Sequence, residues 1–443
     1  MSNPNIFPPD SKQEKQKTVE NKERLPGTIE SLLEVDFYKI TMLYAFWKEH
    51  RDAEVTFAFK NRTKKVELPK HVDEEKLRSR LDHIKGLRFK DTEVGYITDS
   101  FKKKFDIDLE PEFVETLKNF NMAQYELENT GDSYKIEVTG KWGDVTLWET
   151  LILSAVNEMY FDAIMSEQGV SKEKVWAEGD RRLSEKIDRI NDLVAKDPKY
   201  KRLKIMEFGN RRAFSRDWQR HTVERISKEL PDNFVGTSNV LLAKELGLDA
   251  LGTFAHESYM GLYGVFKSRG HLDPVLASHL GSLEIQHRVY GGKLGIALTD
   301  NYGSDFFFKN FPLELAKEYK GLRHDSGDAF EFGEKAIKFY EDNGIDPKTK
   351  TLVFSDGLDL DKIIEIFDRF DGRVNLVFGW GTNLTNDMGF DALSLVAKLI
   401  RANKHGTVKL SDNFAKATGE PEDIKCVIER TGHDNSFEEK CTY

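Results

Sequence analysis

Three short segments of the 443-residue chain carry side chains suited to phosphate chemistry. His256 lies in Gly252-Thr253-Phe254-Ala255-His256-Glu257, directly after the apolar pair Ala250-Leu251. An imidazole exposed just past a buried strand, with an unperturbed pKa of about 6.5, is largely neutral at pH 7 and can attack phosphorus. Arg323-His324-Asp325-Ser326-Gly327-Asp328 joins a guanidinium to a carboxylate. Arginine grips an anion with its planar fork, and a carboxylate beside phosphates takes a ribose hydroxyl or holds Mg²⁺ through water. Phe378-Gly379-Trp380-Gly381-Thr382-Asn383 offers bare backbone amides, as does Ser355-Asp356-Gly357. Such amides cradle phosphates, especially ahead of a helix.

These segments need a scaffold, and the pattern after residue 200 supplies one. Lys204–Phe208, Asn233–Val235, Ala250–Thr253, Leu294–Leu298, Lys320–Leu322, Thr351–Phe354 and Arg373–Phe378 read as short buried strands. Helical spacing fills Asn239–Leu246, Ala329–Asp342, Asp359–Phe370 and Thr385–Arg401. Alternation of this kind predicts a parallel sheet, open or closed into a barrel. Polar or glycine-bearing clusters follow the strands at Gly209–Arg212, Gly236–Ser238, His256, Thr299-Asp300, Arg323–Asp328, Ser355–Gly357 and Gly379–Thr382. Ligands of α/β sheets and barrels bind at the carboxyl ends of the strands, so these seven clusters should converge on one site.

The earlier part of the chain reads differently. Residues 1–26 are polar and predict a mobile tail. A helix opens at Asp36-Phe37-Tyr38-Lys39, a half-buried strand covers Glu54–Phe59, another strand covers Ser133–Val138, and Trp148–Phe161 is a long apolar helix.

Composition narrows the class. With 39% hydrophobic and 32% charged residues the chain suits a globular enzyme of two or three domains. Nothing reaches the ~18 consecutive apolar residues of a membrane span, and no apolar signal-peptide core stands at the N-terminus. Cys426 and Cys441 are the two cysteines, which excludes a disulfide framework or a cysteine zinc site and fits a reducing cytoplasm. A net charge of -10 argues against general nucleic-acid binding, while a local cationic field can still hold a small anion.

Each candidate also has a plainer reading. A lone histidine is more often a hydrogen-bonded loop residue than a nucleophile, and the converging clusters are what favour His256. The direction of Glu257 is open. His279, His287 and His324 read as structural or solvent-facing. Asp328 and Glu331 have capping-box spacing, so Asp328 is a helix cap and Asp325 is left for chemistry. Arg212, Arg216 and Arg220, four residues apart, read as a salt-bridged helix face, with Arg211 nearest the preceding strand and best placed for a ligand. Phe208 and Tyr38 could stack on a flat heteroaromatic ring. Neither a Walker loop nor a dinucleotide glycine fingerprint is present.

Taken in order, Asp36-Phe37-Tyr38-Lys39, Glu207-Phe208-Gly209-x-Arg211-Arg212-x-Phe214-Ser215, Gly236–Asn239, Gly252-Thr253-x-Ala255-His256-Glu257, Gly295–Asp300, Arg323-x-Asp325–Asp328 and Phe378-Gly379-x-Gly381–Asn383 resemble the nicotinate phosphoribosyltransferase family. The resemblance implies an α/β fold, an irregular TIM-like barrel (residues 151–390) with an N-terminal α/β domain (27–150) completed by C-terminal segments (391–443). It implies that nicotinate and 5-phosphoribosyl 1-diphosphate (PRPP) give nicotinate mononucleotide and diphosphate, with ATP hydrolysis and Mg²⁺, in NAD biosynthesis. A homodimer with a shared site is implied, Tyr38 reaching the nicotinate pocket from the neighbouring subunit.

Residue by residue, His256 matches the histidine that ATP phosphorylates, and Asp325 matches a catalytic acidic group at the ribose and metal. Tyr38, Phe208, Arg211, Ser238 and Thr253 match nicotinate-site residues. Arg323, Asp300, Asp356, Gly357, Gly381 and Thr382 match PRPP and phosphate positions, Asp300 and Asp325 standing also near the metal. A serine at 238 favours the acid over the amide, since an aspartate there would repel a carboxylate. One departure is Phe414-Ala415 where a Pro-Gly turn is expected, which predicts a different loop.

Overall fold

The computed structural model describes residues 28–439. The predicted tail at 1–26 and Cys441 lie outside that range. Among the described residues, eleven strands fall into two sheets. The first is antiparallel and joins β1 (Glu54–Asn61), β2 (Tyr125–Asn129), β3 (Tyr134–Lys141), β10 (Leu395–Ala402) and β11 (His405–Gly406) in the order β11-β10-β1-β3-β2. β10 pairs with β1 from Val55↔Ala402 to Asn61↔Leu395, so a late piece of the chain sits in the middle of an early sheet.

The second sheet is parallel. It contains β4 (Lys204–Glu207), β5 (Phe234–Thr237), β6 (Ile296–Leu298), β7 (Gly321–His324), β8 (Thr351–Phe354) and β9 (Asn375–Trp380), in the order β5-β4-β9-β8-β7-β6. Hydrogen bonding leaves β5 and β6 as edges, and a parallel bridge Thr237↔Ala250 extends the β5 edge by one residue. The expected parallel sheet is present, and among the described residues no strand pairing links β6 back to β5.

Helices between these strands form for local reasons. In Leu360–Phe370, Ile363, Ile366, Phe367 and Phe370 fall on one buried stripe. Asp359 caps it by accepting the Lys362 N–H at 2.8 Å. Burying each such side chain is worth roughly 1.5–3 kcal/mol. Asp328 likewise caps Ala329–Asp342, accepting from the amides of Phe330 and Glu331.

Two expectations fail. Thr385–Arg401 is not a helix: after a one-turn helix at Thr382–Thr385 the chain extends into β10. Leu395, Val396, Ala397 and Leu399 are buried on both faces of the sheet, and a run buried all round carries no period that separates strand from helix. Ala250–Thr253 is not a strand beyond its single bridge. Gly252 is pressed against the Tyr38 backbone, where an added Cβ would lie 2.9 Å from the Tyr38 nitrogen.

Candidate active site

The carboxyl ends of the parallel strands face Leu395, Val396 and Lys398 of β10. Between them lies a cavity of about 270 Å³, walled by Phe208, Gly209 and Arg211 after β4, Asp325 after β7, Ser355–Gly357 after β8, and Gly379, Gly381 and Thr382 at the end of β9. A smaller cavity of about 40 Å³ adjoins it, lined by Tyr38, Glu149, His256 and Arg323 among others. Arg211, Asp325 and Lys398 face both.

His256 begins the helix His256–Ser268. It is not the exposed imidazole the sequence suggested: the ring is buried, with one edge on the smaller cavity. Packing of Gly252 on the Tyr38 backbone draws the segment inward. Its Nε2–H donates to Asp300 Oδ1 at 2.8 Å, and its Nδ1 lies 3.8 Å from Asp325 Oδ2. Burial, then the Lys409 ammonium, push the imidazole down to about 4 against the pull of Asp300 and Asp325, so the ring is neutral at physiological pH. With Nε2 committed to Asp300, Nδ1 carries the lone pair.

Asp300 is fully buried, and three hydrogen bonds hold its carboxylate. Besides His256 it accepts from Ser326 Oγ at 2.6 Å and Ser411 Oγ at 3.1 Å. Burial pushes its carboxyl up, but His256 and Lys409 hold it well below the usual range. Asp300 lines neither cavity, and its geometry orients His256. Asp325 is a quarter exposed and faces the cavities. It accepts from Ser355 Oγ at 3.0 Å and sits 3.4 Å from Arg323. Burial would raise it, and Arg323 and His256 more than offset that, so it stays ionised.

The aromatic candidates come from one chain. Tyr38 and Phe208 have centroids 6.3 Å apart with planes at 78°. Arg211 stands 5.9 Å from the Tyr38 centroid and Arg323 5.7 Å from that of Phe208. Tyr38 of this chain lines the smaller cavity. Arg211 is held by Glu149 at 2.8 Å and Asp36 at 3.4 Å.

Two expected pocket residues lie one layer back. Ser238 is fully buried and donates to Asp36 Oδ1 at 2.7 Å, because Phe37 N–H bonds the Ser238 carbonyl and locks the two segments together. Thr253 Oγ1 accepts from Arg323 at 2.7 Å. They place the arginines rather than face the cavity. Asp356 is on the cavity wall, paired with Lys416. Gly357 has φ +56°, a left-handed conformation that suits glycine, and an added Cβ at Gly381 would meet the Phe208 carbonyl at 3.1 Å. The other histidines are structural, with His324 bonded to the Gly327 carbonyl and His287 paired with Glu318. Arg216 and Arg220 make ion pairs to Glu34 and Glu245.

Glu257 points away from His256, to Lys39, Trp142 Nε1 and Thr146 Oγ1. Lys39 is fully buried and also pairs with Glu149 at 2.6 Å. A relay Glu257–Lys39–Glu149–Arg211 therefore runs under the site.

Four cations went unrecognised in the sequence: Arg62, Lys398, Lys409 and Lys416 all line the larger cavity. Among the described residues, the Lys398 and Lys409 ammonium groups carry no salt bridge. Burial lowers both, Lys398 to about 7. The signal was legible: Lys398 and Lys409 each interrupt an apolar run, Val396-Ala397-Lys398-Leu399 and Val408-Lys409-Leu410, and lysine is rarely buried without purpose.

A parallel α/β scaffold carrying a cation-rich cleft, glycine cradles and a histidine between two acids defines a class built for phosphorylated ligands. The comparisons make the class specific. The model of the nicotinate phosphoribosyltransferase (NAPRTase) family matches residues 203–438, and that of its N-terminal domain matches residues 33–157. The nicotinate phosphoribosyltransferase of Vibrio cholerae is similar at 31% identity over 92% of this chain and 95% of that one, with a TM-score of 0.80. That of Porphyromonas gingivalis is similar at 31% identity over 91% and 100%, with a TM-score of 0.77. The chain belongs to the nicotinate phosphoribosyltransferase family.

Proposed function

We propose that the chain joins nicotinate to the phosphoribosyl group of PRPP, releasing diphosphate, and couples the reaction to ATP hydrolysis through a phosphohistidine at His256, in NAD salvage. The observation that carries the coupling is the single hydrogen bond from His256 Nε2–H to Asp300. Asp300 fixes Nε2–H, which leaves the Nδ1 lone pair on the side of Asp325, a residue that lines both cavities. That lone pair attacks the γ-phosphorus of ATP and ADP leaves. The Nε2–H then bears the developing positive charge, which the buried Asp300 carboxylate offsets.

The transfer itself needs positioning and charge. As the C1–diphosphate bond breaks, positive charge grows on the ribose and negative charge on the leaving group. Arg323, Lys398, Lys409 and Lys416 lie around the cavity to meet the anion. Asp325, ionised and facing the cleft, lies near the developing ribose cation. The pyridine nitrogen attacks C1, so holding the ring in place is the protein's main contribution. Phosphohistidine shifts affinity for the other substrates, which is how hydrolysis couples to product formation.

His256, Asp300 and Asp325 bring ligand atoms within 4.8 Å of one another. With Asp300 held behind His256 and Asp325 facing the cavities, the donor set fits a Mg²⁺ ion held by Asp325, by water and by phosphate oxygens. Such an ion supplies charge stabilisation of the leaving diphosphate. A cytoplasmic homodimer is proposed on the family likeness.

The test is product analysis with nicotinate and with nicotinamide, with and without ATP. Nicotinate mononucleotide formation stimulated by ATP supports the reading. Equal use of nicotinamide, or indifference to ATP, would overturn it.

A further inference from the structure

We infer that the C-terminal segment His433–Glu439 is a strap that holds the loop Lys409–Lys416 against the site, and that His433 is a positioning residue for anion binding; this rests on the functional reading above. The loop brings four groups to the centre. Lys409 and Lys416 face the larger cavity, Ser411 Oγ donates to Asp300, and the Asp412 amide donates to Ser326 Oγ, which itself holds Asp300.

The loop is not in a relaxed conformation. Ser411 has φ +65°, a left-handed region that side-chain-bearing residues adopt only where the surroundings impose it. Those surroundings come from the chain's end. His433 Nε2 bonds the Ser411 carbonyl at 2.8 Å, and a carbonyl only accepts, so Nε2 carries the proton. Further along, the Phe437 carbonyl accepts the Phe414 amide at 3.0 Å. Glu439 closes a two-way pair with Asn413, its carbonyl accepting at 2.9 Å and its amide donating at 3.2 Å.

A second contact is independent of the loop. Gly303, with φ +88°, lies so close to His433 that an added Cβ would fall 2.6 Å from the ring. Gly303 ends the turn that begins at Asp300. His433 therefore wedges between the turn carrying Asp300 and the loop carrying Lys409. The preceding helix Pro421–Thr431 anchors the strap: Val427 packs with Val408 and Leu410, the neighbours of Lys409, and Arg430 pairs with Asp273. The physical sequence is helix, wedge, strained loop, Asp300 and the ammonium groups.

Three variants test this in the full-length background: a stop after Gly432, which keeps the anchoring helix, His433→Ala, and His433→Gln, whose amide can still donate. Hydrogen exchange in peptides covering 409–416 reads the strap whatever the chemistry. Inorganic diphosphate binding and the KM values for PRPP and nicotinate read its effect. The truncation and His433→Ala should speed exchange in 409–416 and raise the diphosphate Kd and the PRPP KM about tenfold, the usual size for a supporting contact. The nicotinate KM should move less than twofold, and His433→Gln should recover most of the loss. Unchanged exchange, an unchanged PRPP KM, or equal rises in both KM values with no recovery in His433→Gln would overturn the strap. A parent enzyme that does not turn over PRPP would sink the functional reading instead, while exchange would still decide the strap.

Discussion

The rings of Tyr38 and Phe208 stand edge-to-face, 6.3 Å between centroids. A pyridine stacked between two rings needs them near parallel, and the adjoining cavity of about 40 Å³ is far below the roughly 150 Å³ that holds a benzene. On the proposed reading, in which nicotinate stacks between the two rings, binding turns at least one ring. Tyr38→Ala should raise the nicotinate KM about tenfold, the loss of one stacked ring, and leave the PRPP KM within twofold. Steady-state kinetics in both substrates check this, and an unchanged nicotinate KM would remove Tyr38 from the pocket.

Asp300→Asn keeps the shape but removes the carboxylate that fixes Nε2–H and offsets charge on the phosphorylated ring. The rate of His256 phosphorylation by ATP should fall roughly 10- to 100-fold. Quenched-flow labelling measures it directly. Because Asp300 makes no cavity contact of its own, the nicotinate KM should hardly change.

Lys398 loses its proton as pH rises through about 7, since burial disfavours the charged form more than Glu149 favours it. An ammonium is present below that pH and a neutral amine above it. The kcat/KM for PRPP should fall with a limb near pH 7, a profile that reports the free enzyme. Lys398→Met should lower kcat/KM about tenfold at pH 6 and abolish that limb, an effect of one charge-assisted phosphate contact. A limb that survives in the variant belongs to another group.

His279 is buried among Tyr259, Phe306 and Phe307, and burial pushes it down to about 4. The unfolded chain takes up a proton below about 6.5 while the folded one does not until about 4. Stability from this residue is complete above pH 6.5 and falls between 6.5 and 4, by about 3 kcal/mol in all. Urea midpoints across that range should drop for the parent, and His279→Leu should drop less.

Much of the site is legible in the amino-acid sequence. The strand-then-cluster rhythm after residue 200 placed Phe208, Arg211, Asp325, Gly357 and Gly381 around one cleft, because strand ends and glycine turns are local properties. The Asp328 cap was equally local. What escaped was non-local. The sheet position of Leu395–Ala402 depends on pairing with Glu54–Asn61, more than three hundred residues earlier, so Lys398 could not be aimed at the cavity from its neighbours alone. Ser238 and Thr253 sat on the right segments, yet their hydroxyls turn toward Asp36 and Arg323. Side-chain direction at a loop is set by partners that the sequence does not place.

Everything in the coupling argument depends on Nδ1 of His256 as the phosphoryl acceptor. The direct test is incubation with γ-labelled ATP, followed by fragment mass spectrometry and ³¹P NMR of the labelled peptide. One acid-labile phosphate on His256, bonded to Nδ1 and absent from His256→Ala, is the predicted result. Label persisting in His256→Ala, or a phosphate on Nε2, would contradict it.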